Sequence, residues 1–165
     1  MSFDGRFYCA TTRAVMVVET GADDQPLRLA IAARLARPLS RMMMDTVHLV
    51  DNDGELTLVD RRRLDRRYEV YRVDLDAMKL VPVRGLGGRA VFTGWERALC
   101  VSPSVFPSLS ADTIYLGFDS LLTGYTDDSP IHLMDGTSES RRFNYDMTIC
   151  RPCGVQKSDM MAQRG

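Results

Sequence analysis

Short runs of alternating apolar and polar residues, broken by turn residues every few positions, dominate this chain from Phe7 to Met134. Alternation with a period of two places successive side chains on opposite faces, which is the geometry of a strand and not of a helix. Residues 7–12 and 14–20 read as two strands meeting at a tight junction, Thr12-Arg13. Residues 46–50 and 55–60 flank Asp51-Asn52-Asp53-Gly54, and Asp-Gly between alternating runs is a strong hairpin signal. In residues 68–76, Tyr71, Val73 and Leu75 fall on one face and Arg72, Asp74 and Asp76 on the other. Residues 79–83 follow Ala77-Met78, with Pro82 marking an edge position or a strand end. Residues 89–93, 98–102, 113–118 and 131–134 complete the series.

One stretch supports two readings. The alanines between Leu27 and Met44 suit an arginine-rich amphipathic helix ending before Pro38. Leu27, Leu29 and Ile31, however, alternate with Arg28 and Ala30 as a strand would. The reading adopted is a strand over residues 27–33, followed by a loop or short helix through Met44. About a dozen short strands with little helix predict an all-β fold, and even spacing suggests a sandwich, a barrel or propeller blades. Four strands in roughly 40–45 residues is the propeller rhythm, so the 165 residues would hold a partial β-propeller of roughly three to four blades. The expected organisation is a partial propeller over residues 1–145 and a poorly ordered tail over 146–165.

Charge and hydropathy remove several partner classes from the expectation. Lysine plus arginine is 21 and aspartate plus glutamate 22, a net charge of −1. Nucleic acid and anionic membranes favour strongly basic faces, so neither is expected as a partner. No apolar run approaches the roughly 18 residues of a spanning helix, and Met1 to Arg6 carry no signal-peptide core. The expected compartment is the cytosol or nucleus by default.

Candidate chemistry is thin. Four cysteines, at 9, 100, 150 and 153, are too widely spaced for a dense disulfide framework and are expected as reduced thiols. Cys150-x-x-Cys153 would need a helix N-terminus to act as a redox pair, or a second ligand pair to hold zinc. Neither is legible, so the spacing reads as coincidence. Asp51, Asp53 and Glu55 superficially suggest a calcium loop, but Gly54 falls at loop position four where an EF-hand requires six. No Gly-x-Ser-x-Gly elbow exists, and His48 and His132 both lie in predicted strands. Gly85-Leu86-Gly87-Gly88 lacks dinucleotide-loop spacing and reads as a turn. No catalytic residue, cofactor or metal is therefore expected. Trp95, at a predicted turn, is read as packing between blades before exposed anchor.

The sharpest charge feature is Arg61-Arg62-Arg63-Leu64-Asp65-Arg66-Arg67, five arginines in seven residues. Between two strands it reads first as a solvated loop. Its functional reading is a rim loop in which Arg61, Arg62, Arg63, Arg66 and Arg67 grip an acidic or phosphorylated partner, because guanidinium forks match carboxylate and phosphate. No aromatic residue interleaves the run for stacking on bases, which again argues against nucleic acid.

Tyr68-Glu69-Val70-Tyr71-Arg72-Val73-Asp74-Leu75 leads into Leu80-Val81-Pro82-Val83 and then Leu86-Gly87-Gly88-Arg89-Ala90-Val91-Phe92-Thr93-Gly94. Ser102, Phe106-Pro107-Ser108-Leu109 and Thr113-Ile114-Tyr115-Leu116 follow. This succession resembles the plant family called domain of unknown function 295, the KIB-type F-box-associated β-propeller. In that family a Tyr-x-Val-x-x-Leu-Asp strand pair precedes a Leu-Gly-Asp-Arg-Ala-Leu-Phe-Leu-Gly segment and then Phe-Pro-Gly-Leu…Asn-x-Ile-Tyr-Phe. Phe3-x-Gly-x-Phe-Tyr and Asn52 to Leu56 are similar to its earlier blade segments. The resemblance covers about residues 3–136, and Tyr68 to Tyr115 is its specific part. Gly88, Leu116 and Asp112 depart from the family's usual aspartate, phenylalanine and asparagine, and its C-terminal Pro/Trp strand is not recognisable after Arg142.

The resemblance implies a non-catalytic protein-interaction module, the substrate-recognition propeller of a plant F-box type ubiquitin-ligase adaptor. No leucine-rich F-box segment precedes the first strands, so contact with a Skp-type adaptor is not expected. The alternative expectation is a truncated or decayed family member without autonomous function. An open blade edge would also allow two copies to pair, since unpaired strand edges are templates for association.

Overall fold

The computed structural model describes residues 1–19, 26–39, 46–62, 67–94, 97–116 and 129–137. Among them the chain is all-β, with twelve strands. The first four are β1 (Ser2–Phe3), β2 (Arg6–Ala10), β3 (Ala14–Glu19) and β4 (Arg28–Arg34). Next come β5 (Thr46–Asp51), β6 (Leu56–Arg62), β7 (Arg67–Asp74) and β8 (Lys79–Val83). The last four are β9 (Ala90–Thr93), β10 (Ala98–Val101), β11 (Thr113–Leu116) and β12 (Ile131–His132). The ambiguous stretch after Leu27 is thus a strand, held by its ladder to β3, and the residues it buries are Ala32 and Ala33 while Leu29 stays exposed. Residues 40–45, which complete that stretch, lie outside the described residues.

β1 to β4 form one antiparallel meander and β5 to β8 a second. They merge into one eight-stranded sheet only through a parallel bridge between Arg34 and Lys79. Pro82, opposite Tyr71, lies in β8, whose other edge meets β4 only at Lys79, in keeping with the near-edge position expected of a strand proline. Each meander opens on a two-residue Asp-Gly loop with positive φ at both positions. These are Asp4-Gly5 (45° and 70°) and Asp53-Gly54 (63° and 83°). This is the primed turn whose twist matches the flanking strands, and it marks the internal repeat that the letters otherwise hide.

The second meander is buried on both faces, and alternation assigns each face its neighbour. Leu56, Leu58, Val73 and Leu80 pack against Tyr8, Val15, Val17 and Ala33 of the first meander. Val50, Val59 and Val70 pack the other way, against Leu86, Val91 and Ile114. Each such side chain contributes roughly 1.5–3 kcal/mol by leaving water. The other sheet, which forms the third unit, has the order β10-β9-β11-β12, with β9 and β11 parallel. Its second face is covered by its own connection, where Phe106 and Leu109 pack on Ala90 and Tyr115. Three four-stranded units stacked face to face make a partial β-propeller.

Candidate functional site

The arginine run does not begin where the strands end. Register continues through Arg61↔Tyr68 to Arg62↔Arg67, so Arg61 and Arg62 close β6 and Arg67 opens β7. The run expected as a loop thus has Arg61, Arg62 and Arg67 in strands, and Arg63 and Arg66 lie outside the described residues. Arg61 is only 9 % exposed, a structural position on the face toward the third unit. Arg67 is exposed. Arg62 and Arg67 occupy directly opposed positions of the ladder.

A second constellation ties the meanders to the third unit. The Asp112 carboxylate Oδ1 accepts hydrogen bonds from the backbone amides of Leu86 at 2.5 Å and Gly88 at 3.1 Å. The Asp112 amide donates to the Arg89 carbonyl at 2.7 Å, and its own carbonyl accepts from Leu133 at 2.9 Å. Asp112 has a φ of 51°, which aspartate tolerates better than most side chains. The glycine-rich segment is thus a turn wound on a carboxylate, and so not a phosphate cradle. Next to it, Asn52 Nδ2 donates to the Leu86 carbonyl at 3.2 Å and its Oδ1 accepts from the Cys100 thiol at 3.1 Å. Burial pushes the Cys100 thiol up from its ordinary pKa; Arg89 opposes the shift, and Asp51 and Asp53 reinforce it. Arg89 also meets Asp53 at 3.1 Å.

The other candidates resolve into structure. Asp51 accepts from the Gly54 amide at 2.8 Å, the side-chain bond of a turn. His48 is buried in β5, and His132 Nδ1 lies 2.8 Å from Thr113 Oγ1 across β11 and β12. Among the described residues, no group of three histidine, cysteine, aspartate or glutamate side chains could hold a metal ion. No helix there is long and apolar enough to cross a membrane. Trp95, Cys150 and Cys153 lie outside the described residues. Sequence reasoning met Asp112 only as a departure from the family's usual asparagine and did not foresee its bonds to Leu86 and Gly88.

Stacked four-stranded units with connections gathered at their ends define the class, a β-propeller domain. The chain belongs to the KIB1-4 beta-propeller family, whose model matches residues 1–146. No curated protein and no solved structure matches it.

Proposed function

We propose that this domain is a non-catalytic protein-interaction module, serving as the substrate-recognition propeller of a plant F-box type ubiquitin-ligase adaptor. The observation that carries the reading is the family match over residues 1–146, joined to the segment-by-segment likeness from Tyr68 to Tyr115. A propeller holds its strands rigid and frees its connections to recognise a partner. The contact point is the arginine end of β6 and β7, where Arg62 and Arg67 are paired in register. An acidic or phosphorylated segment laid across that end relieves the opposition of like charges. The reading involves no cofactor, metal or catalytic step.

The test is quantitative affinity capture from plant extract with the wild-type chain and the double variant Arg62→Glu/Arg67→Glu, each first checked for an unchanged circular dichroism spectrum. The expected result is a protein retained by the wild type, released by phosphatase or by raised salt, and lost by the variant. Identical captured sets would overturn the assignment of this end as the recognition surface.

A further inference from the structure

Besides the arginine end, the structure holds a cavity of about 500 Å³ where one strand from each unit converges. β2 supplies Tyr8 and Cys9, β5 supplies His48 and Leu49, and Arg97 stands in the wall just before β10. We propose that this cavity binds a small organic acid, its carboxylate held by Arg97 and its apolar body against Tyr8, Val47 and Leu49.

Size, charge and wall chemistry converge on that class. Small-molecule sites span roughly 300–1,000 Å³ and are mostly apolar with a few placed polar groups. Here Tyr8, Val47 and Leu49 supply the apolar wall. Among the described residues Arg97 is the one lining side chain with a fixed formal charge, the Met1 ammonium beside it donates to the Tyr8 carbonyl at 2.8 Å, and no aspartate or glutamate lines the cavity. A guanidinium fork matches one carboxylate, and Tyr8, Val47 and Leu49 suit an apolar body better than a second charged group. The backbone beside the fork is held, because the Arg97 carbonyl accepts from the Gly94 amide at 2.7 Å across the β9–β10 turn. The site is separate from the proposed partner surface, since among the described residues none of the lining comes from β6 or β7.

The exposed thiol of Cys9 is a built-in reporter of occupancy. The full chain is titrated with naphthalene-2-carboxylate and with its neutral counterpart naphthalene-2-methanol, followed by amide NMR shifts. Cys9 alkylation by iodoacetamide is measured in parallel. Expected is saturable binding of the acid, about tenfold tighter than the alcohol, as one charge-assisted contact provides. The acid slows alkylation of Cys9 and leaves that of Cys100 unchanged. Arg97→Ala brings acid and alcohol to the same affinity, and Arg97→Lys restores part of the difference. Arg97 is exposed, so neither variant threatens the fold. Absence of saturable binding, equal affinity for acid and alcohol in the wild type, indifference to Arg97→Ala, or an unprotected Cys9 would each overturn the proposal. Failure of partner capture at the arginine end leaves this result untouched, and the converse holds as well.

Discussion

Replacing Asp112 dissects one side chain that does two separable jobs. Its Oδ1 accepts from the amides of Leu86 and Gly88, and its backbone occupies the left-handed region at 51°. The backbone bonds to Arg89 and from Leu133 survive any substitution that keeps this geometry, so only the side chain is under test. Alanine leaves the partly buried Leu86 amide without its acceptor, at a cost of about 1–3 kcal/mol. The Gly88 amide is exposed and rehydrates. Alanine in the left-handed region adds about 1–2 kcal/mol, for a total near 3 kcal/mol. Glycine removes the conformational part and keeps only the hydrogen-bond loss. Asparagine keeps both the acceptor and the tolerance for positive φ, and should cost under about 1 kcal/mol. Urea unfolding followed by far-ultraviolet circular dichroism reads the series. With a slope near 2 kcal/mol per molar urea, Asp112→Ala lowers the midpoint by about 1.5 M. Asp112→Gly falls between alanine and asparagine. An alanine variant within about 0.5 kcal/mol of wild type, or an asparagine variant as unstable as alanine, refutes the reasoning.

Gly85→Ala puts a Cβ 2.6 Å from the same Asp112 Oδ1, so it should cost about 1–3 kcal/mol, and most of that should vanish in an Asp112→Gly background when a double-mutant cycle is run. Neutralising Asp53, which is 77 % exposed, should change stability by less than about 1 kcal/mol despite its 3.1 Å bridge to Arg89, and a larger urea-midpoint shift would contradict the surface assignment. Burial raises the Cys100 pKa, so its contribution to stability is fully present below the ordinary thiol pKa and is lost as pH rises through the raised value. Iodoacetamide labelling with peptide mass spectrometry should accordingly modify exposed Cys9 well before Cys100 at neutral pH, and equal rates would count against the burial argument.

Local alternation and turn chemistry carried most of the strands. The Asp53-Gly54 hairpin is legible because a two-residue primed turn demands those residue types, and Tyr68 to Leu75 because its two faces differ in polarity. The strand after Leu27 was read from the alternation of Leu29 and Ile31, yet the side chains it buries are Ala32 and Ala33. What stayed hidden depends on distance along the chain. Arginines 61, 62 and 67 look like loop residues, yet hydrogen bonding to a partner strand carries the ladder through them. The bond from Asp112 back to Leu86 joins residues 26 apart, and no local pattern announces it. The cavity wall draws on three units, so its membership follows from stacking and not from spacing. Arg97, the residue on which the organic-acid proposal rests, is an isolated cation in the sequence and gains meaning only from its neighbours in space.

The parallel pairing of β9 with β11 also bears on the order in which the protein assembles. Each of the first two units can zip from its Asp-Gly hairpin outward, one neighbouring strand at a time. The third cannot, because β11 lies on the far side of β9 from β10 and must arrive by way of the connection carrying Phe106 and Leu109. Pairings that wait on such a crossing are slower than hairpin closure. The third unit should therefore set last, on a template already formed by Val50, Val59 and Val70. Pulse-labelled amides of Ile114 and Tyr115 gaining protection before those of Val59 and Val70 would reverse that sequence in time.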